Sequence, residues 1–73
     1  MQLNAMSTHH PLKEYRIAAG LTLEELASLA EISKASLSRI ETGDQIPSLG
    51  LVKRLVKVSK NKLSADDFLQ WVR

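Results

Sequence analysis

Residues 23–42 read LEELASLAEISKASLSRIET, and the spacing of their apolar side chains decides the fold. Leu26 and Ala30 stand four apart, Leu37 and Ile40 three apart, so each pair lies on one face of an α-helix. Ile32 falls between the two helices and plugs a turn of about three residues. Ala27 occupies the position where two steeply crossing helices need a small side chain. Turning Leu37 and Ile40 inward turns Lys34, Ala35, Ser38, Arg39 and Thr42 outward, with Ser36 at the flank.

The flanking residues supply helix starts and stops. Thr22 can accept from the Glu25 N–H while Glu25 reaches back, a capping box, and Leu21 and Leu26 form the accompanying hydrophobic staple. Ile32-Ser33 with Leu37 repeats the staple and cap, and Leu63-Ser64 with Asp67 and Phe68 repeats the whole device. Each cap is worth ~0.5–2 kcal/mol, a large share of a small domain's stability. Pro11 suits a first turn, Leu12, Tyr15 and Ala19 share a face, and Gly20 supplies a left-handed stop. Gly43 ends the third helix and Pro47-Ser48 opens a fourth, with Leu51, Val52, Leu55 and Val56 inward. Asn61 suits a left-handed link to a fifth. No useful stretch alternates with period two. The expected fold is all-α, five short helices over about residues 11–19, 22–30, 33–42, 48–59 and 64–72, in one domain spanning residues 10–73. Residues 1–9 read as a flexible polar tail, within which Met6 offers an alternative start.

The chain has 73 residues, 44% of them hydrophobic and 25% charged, with no cysteine. A chain of this length buries only ~60% of its unfolded surface, so each apolar stripe must be used. With Tyr15, Phe68 and Trp71 the only aromatics, the core must be aliphatic. The absence of cysteine removes disulfides, thiolate nucleophiles and sulfur-ligated zinc. No nucleophile–base pair or metal set is visible, so neither an enzyme, a cofactor, a metal nor a small-molecule substrate is expected. His9-His10 lacks a third ligand and reads as part of the tail. Asp66-Asp67 fits the first turn of a helix, where carboxylates favour the dipole. No run approaches the ~20 apolar residues of a membrane span, and no signal peptide is seen, so a cytoplasmic protein without a membrane partner is expected.

Charge is unevenly placed. Residues 1–32 set Lys13 and Arg16 against Glu14, Glu24, Glu25 and Glu31, for a net of −2. Residues 33–73 carry eight Lys and Arg against four Asp and Glu, for a net of +4. A basic half points to a polyanionic partner. Lys53, Lys57 and Lys60 form a stripe with Arg54 beside it, most simply a solvated helix face that can also attract polyanions at long range.

Four pieces then fall in order: L-K-x-x-R from Leu12, G-L-T-x-x-E-L-A from Gly20, I-S-x-x-x-L-S-R-I-E-x-G from Ile32, and P-S-L from Pro47. Together they resemble the XRE family of Cro/cI phage-repressor-like helix-turn-helix domains, over residues 12–69. The resemblance implies a five-helix lambda-repressor-like domain that binds double-stranded operator DNA as a homodimer, a bacterial or phage-encoded, nucleoid-associated transcriptional repressor. It further implies that the outward residues Lys34, Ala35, Ser38 and Arg39 meet base edges. Arg39 suits a bidentate contact to guanine, Lys34 either a base or a phosphate, and Ala35 a thymine methyl. Phosphate contacts are implied for Thr22 and Leu23 through backbone N–H groups, and for Ser36, Thr42 and Gln45. Arg16 and Glu41 match a family pair tying the first helix to the end of the third. The family position occupied by Glu31 takes a positive φ and usually holds Gly or Asn, so a Glu there implies stored strain of roughly 1 kcal/mol or an altered turn. Self-association is expected through the C-terminal region, with Phe68, Trp71 and Val72 in the interface; for Trp71, core cover is the other reading. An alternative function keeps the fold but adds a protein partner: an antitoxin whose C-terminus covers a toxin.

Overall fold

The computed structural model describes residues 10–69, and all regular structure among them is helical. Five helices follow one another: α1 (Pro11–Ala18), α2 (Leu23–Ala30), α3 (Lys34–Thr42), α4 (Leu49–Val58) and α5 (Ala65–Leu69). α2 packs on α3 and α4, α1 on α3 and α5, and α4 on α5. One apolar core joins them: Leu12, Leu26, Ala27, Ala30, Leu37, Ile40, Leu51, Val52, Leu55, Leu63 and Phe68. Ala27 is buried where α2 crosses its neighbours, as the need for a small side chain requires.

The helix starts follow from the capping residues. Thr22 accepts from the Glu25 N–H at 3.0 Å while the Glu25 carboxylate accepts from the Thr22 N–H at 2.8 Å, a complete capping box. Ser33 accepts from Ser36 at 3.0 Å, Ser48 from Leu51 at 3.2 Å, and Asp67 reaches back to the Ser64 N–H at 2.8 Å. Four helix ends share one closing pattern, in which two successive amides bond back to carbonyls three and five residues earlier. Gly20 and Leu21 do this after α1, Glu31 and Ile32 after α2, Gly43 and Asp44 after α3, and Lys60 and Asn61 after α4. Each first-named residue is left-handed: Gly20 and Gly43 at no steric cost, Glu31 (φ 61°) and Lys60 (φ 55°) against it. Glu31 therefore carries the strain its side chain implies, in an otherwise regular turn. Asn61 is left-handed as expected, but Lys60 joins it.

Three placements differ from the sequence reading. His10 is not tail: it is buried, caps α1 through Nδ1, which accepts from the Leu12 N–H at 3.0 Å, and lies 5.5 Å from Phe68, ring centre to ring centre. Phe68, expected in an interface between copies, is only 4% exposed and belongs to the core of the single chain. Ala19, expected inward, is exposed because α1 ends before it. Trp71 and Val72 lie outside the described residues.

Candidate nucleic-acid interface

α3 presents the outward row that its buried teeth dictate. Leu37 and Ile40 are completely buried, whereas Lys34, Ala35, Arg39 and Thr42 are exposed and Ser36 and Ser38 half-buried. The row divides into two ends with different neighbours.

At its N-terminal end, Lys34 lines a concavity of about 340 Å³ together with Arg16, Leu21, Thr22, Leu23 and Glu24. The amides of Leu23 and Glu24 open α2, where no carbonyl precedes them in the helix, so the hollow combines a helix N-terminus with a lysine. The Thr22 N–H is already committed to Glu25, whereas the Leu23 N–H has no helical carbonyl before it. The Glu24 carboxylate stands on the same rim and opposes an anion there.

At the C-terminal end, Arg39 Nε donates to Gln45 Oε1 at 3.1 Å. That bond engages one of five guanidinium donors and limits the side chain's rotamers, while a bidentate guanine contact needs two of the others. Gln45 thus acts in the free protein as an anchor for Arg39. The Thr42 hydroxyl lies 3.0 Å from the Arg39 carbonyl oxygen and 2.9 Å from an Asp44 carboxylate oxygen, and its single proton serves one of them at a time.

Behind α3, Arg16 and Glu41 form a two-pronged ion pair: Nε to Oε2 at 2.8 Å and Nη2 to Oε1 at 3.1 Å. Arg16 Nη1 also donates to the Leu21 carbonyl at 3.1 Å, so one guanidinium joins α1, the α1–α2 link and the last turn of α3. The hydrogen bonds that Arg16 donates to Glu41 hold its pKa above the ordinary value, against a smaller effect of burial. Arg16 is thereby a brace for α3.

Two contributors escape a sequence reading. Arg54, exposed beside the α4 lysine stripe, also ties α4 to α2: its Nε donates to the Ala30 carbonyl at 3.0 Å, satisfying an orphan acceptor at the end of α2. No local signal joins residues 24 apart. His10 holds α1 from its N-terminus, and its position immediately before Pro11-Leu12 was a capping signal, since a neutral imidazole can accept. Burial lowers its pKa, while Glu41 and Asp67 partly restore it.

A family model for the helix-turn-helix domain matches residues 10–64, most of the chain and all of this surface. The chain belongs to the helix-turn-helix domain family. This helix-turn-helix domain is of the XRE-like kind, and DNA is the partner its membership supports. The family is a DNA-binding one and typically non-enzymatic. No curated protein and no solved structure is similar enough to set beside it. Among the described residues, no helix is long and apolar enough to cross a membrane, and no three His, Asp or Glu side chains group as a metal site.

Proposed function

We propose that this helix-turn-helix domain is a sequence-specific transcriptional regulator that lays α3 in the major groove of double-stranded DNA. One observation carries the reading: the fully buried Leu37 and Ile40 put Lys34, Ala35 and Arg39 on the exposed side of a helix braced by Arg16 and Glu41. Arg39 reads guanine through two donors while Gln45 holds its Nε; Lys34 and the α2 N-terminus grip phosphate. Ala35 and Ser38 complete the base contacts, and Ser36 and Thr42 lie near the backbone. Gln45 is therefore an orienting residue before it is a phosphate contact. Two copies occupy a pseudo-palindromic operator with half-sites about one helical turn apart, contacting each other through the region of Trp71 and Val72. Occupancy of the operator excludes competing proteins from it, so the domain acts by occlusion, as a Cro/cI-like repressor in the cytoplasm.

Selection of bound sites from random duplexes tests this. The parent is expected to enrich one half-site, and Arg39→Ala to lose preference at a single base position, a change of ~1–3 kcal/mol there. Lys53→Ala, on α4, leaves the preference unchanged. Identical site profiles for the parent and Arg39→Ala would remove α3 from the groove.

A further inference from the structure

Two exposed apolar patches of opposite charge lie on different helices of this one chain. Along α4, Leu49, Val52 and Val56 floor a groove of about 440 Å³ whose rim is Lys53, Lys57 and Lys60, and Leu49 is 68% exposed. On α2, Leu29 is 55% exposed and shares a hollow with Glu24, Glu25 and Ser28. The core uses neither leucine, and neither is on the outward face of α3.

The charge on each patch is of one sign. α4, LGLVKRLVKV, contains no carboxylate, and α2, LEELASLA, contains no cation. Like-on-like pairing of either patch sets equal charges together, whereas α2 on α4 pairs an apolar residue with an apolar groove and carboxylates with a lysine rim. We propose that copies of this protein associate head to tail, with Leu29 and the acidic side of α2 in one copy seated in the Lys53–Lys57–Lys60 groove of the next. Because two different surfaces meet, the contact continues from copy to copy rather than closing at two. It is also distinct from a two-fold contact at the C-terminus.

Such an interface is small and its charges stay solvated, so in free solution it is weak, on the order of 100 μM. The α2 patch borders the Lys34 hollow, with which it shares Leu21 and Glu24, while Ala35 and Arg39 line neither patch. If the DNA-binding reading holds, neighbouring copies on one duplex meet at a local concentration near ~1 mM, and adjacent sites fill cooperatively.

Sedimentation velocity without DNA tests the contact independently of that reading. From about 10 μM to about 1 mM protein, the weight-average mass is expected to rise beyond a dimer at ~50 mM salt and to fall back at ~500 mM. Lys57→Glu and Ser28→Lys, which alter exposed side chains outside the core and leave the closing backbone bonds in place, each weaken association about tenfold. An equimolar mixture of the two restores it, because each variant's changed surface then meets an opposite charge. A parent that stays monomeric throughout, as it would if residues 70–73 of the same chain filled the groove, overturns the proposal. So does association that withstands both substitutions and is lost in Trp71→Ala, or a mixture no better than its components.

Discussion

Glu31 holds φ 61° and ψ 41° at the end of α2, a conformation that costs a side-chain-bearing residue about 1 kcal/mol or more. It is exposed, and its backbone N–H closes on the Ser28 carbonyl whatever the side chain. Glu31→Gly is therefore expected to raise stability by ~0.5–1 kcal/mol, the relief of strain exceeding the added freedom of the unfolded chain. Urea unfolding midpoints at constant slope check this, and a drop would show that the glutamate makes a compensating interaction. His10 gives the opposite kind of test. Its folded pKa lies below 6.5 because burial disfavours the imidazolium more than Glu41 and Asp67 favour it. The unfolded chain thus binds the proton first, so the contribution of neutral His10 is complete above pH ~6.5 and is lost as pH falls from there toward the folded pKa. Thermal melts of the parent between about pH 7.5 and 5 should lose stability in that window, and His10→Asn, which can still cap, should flatten the loss. Equal pH slopes for both would place the dependence on other groups.

At the scale of elements, the helix boundaries were legible because capping is local: Thr22 with Glu25, Ser33 with Ser36 and Ser48 with Leu51 each act within three residues. The outward row of α3 was equally legible, since burying Leu37 and Ile40 leaves Lys34, Ala35 and Arg39 one exposed side. Ties between elements were legible only through family likeness, as for Arg16 and Glu41, or not at all, as for Arg54 on the Ala30 carbonyl. Nothing in one residue's neighbours announces a partner 24 or 25 positions away. The Arg16–Glu41 brace can be separated into stability and aim. Glu41→Gln leaves a largely buried guanidinium with a neutral partner and is expected to cost about 2 kcal/mol, below the fully buried case because Arg16 keeps some solvent. The double replacement Arg16→Met with Glu41→Leu should recover most of that loss, since apolar pairs of similar volume avoid the desolvation penalty. It should nevertheless bind DNA more weakly than the parent, because the two-pronged link between α1 and the end of α3 has gone. Full recovery of both stability and affinity would reduce the pair to packing.

At the scale of the whole molecule, the uneven charge sets how DNA can approach. α2 brings its N-terminal amides and α3 brings Lys34 to one hollow, yet the same rim carries Glu24. A carboxylate about 7 Å from a phosphate across water costs roughly 0.6 kcal/mol, a factor of about 3 in affinity. Glu24→Gln keeps the shape and removes that repulsion, while giving up a few tenths of a kcal/mol of favourable dipole interaction within α2. It should therefore tighten binding to every duplex about threefold at low salt, with no change in site preference. The gain should shrink as salt rises, because the Debye length falls to about 8 Å at physiological ionic strength and below it at higher salt. Lys34→Ala should do the reverse, weakening all duplexes and flattening the plot of log affinity against log salt by about one unit per domain. Fluorescence anisotropy titrations of parent and variants across a salt series measure both effects. Unchanged affinity in Glu24→Gln at low salt would mean that the hollow stands away from the phosphates and that α3 approaches the groove at another tilt.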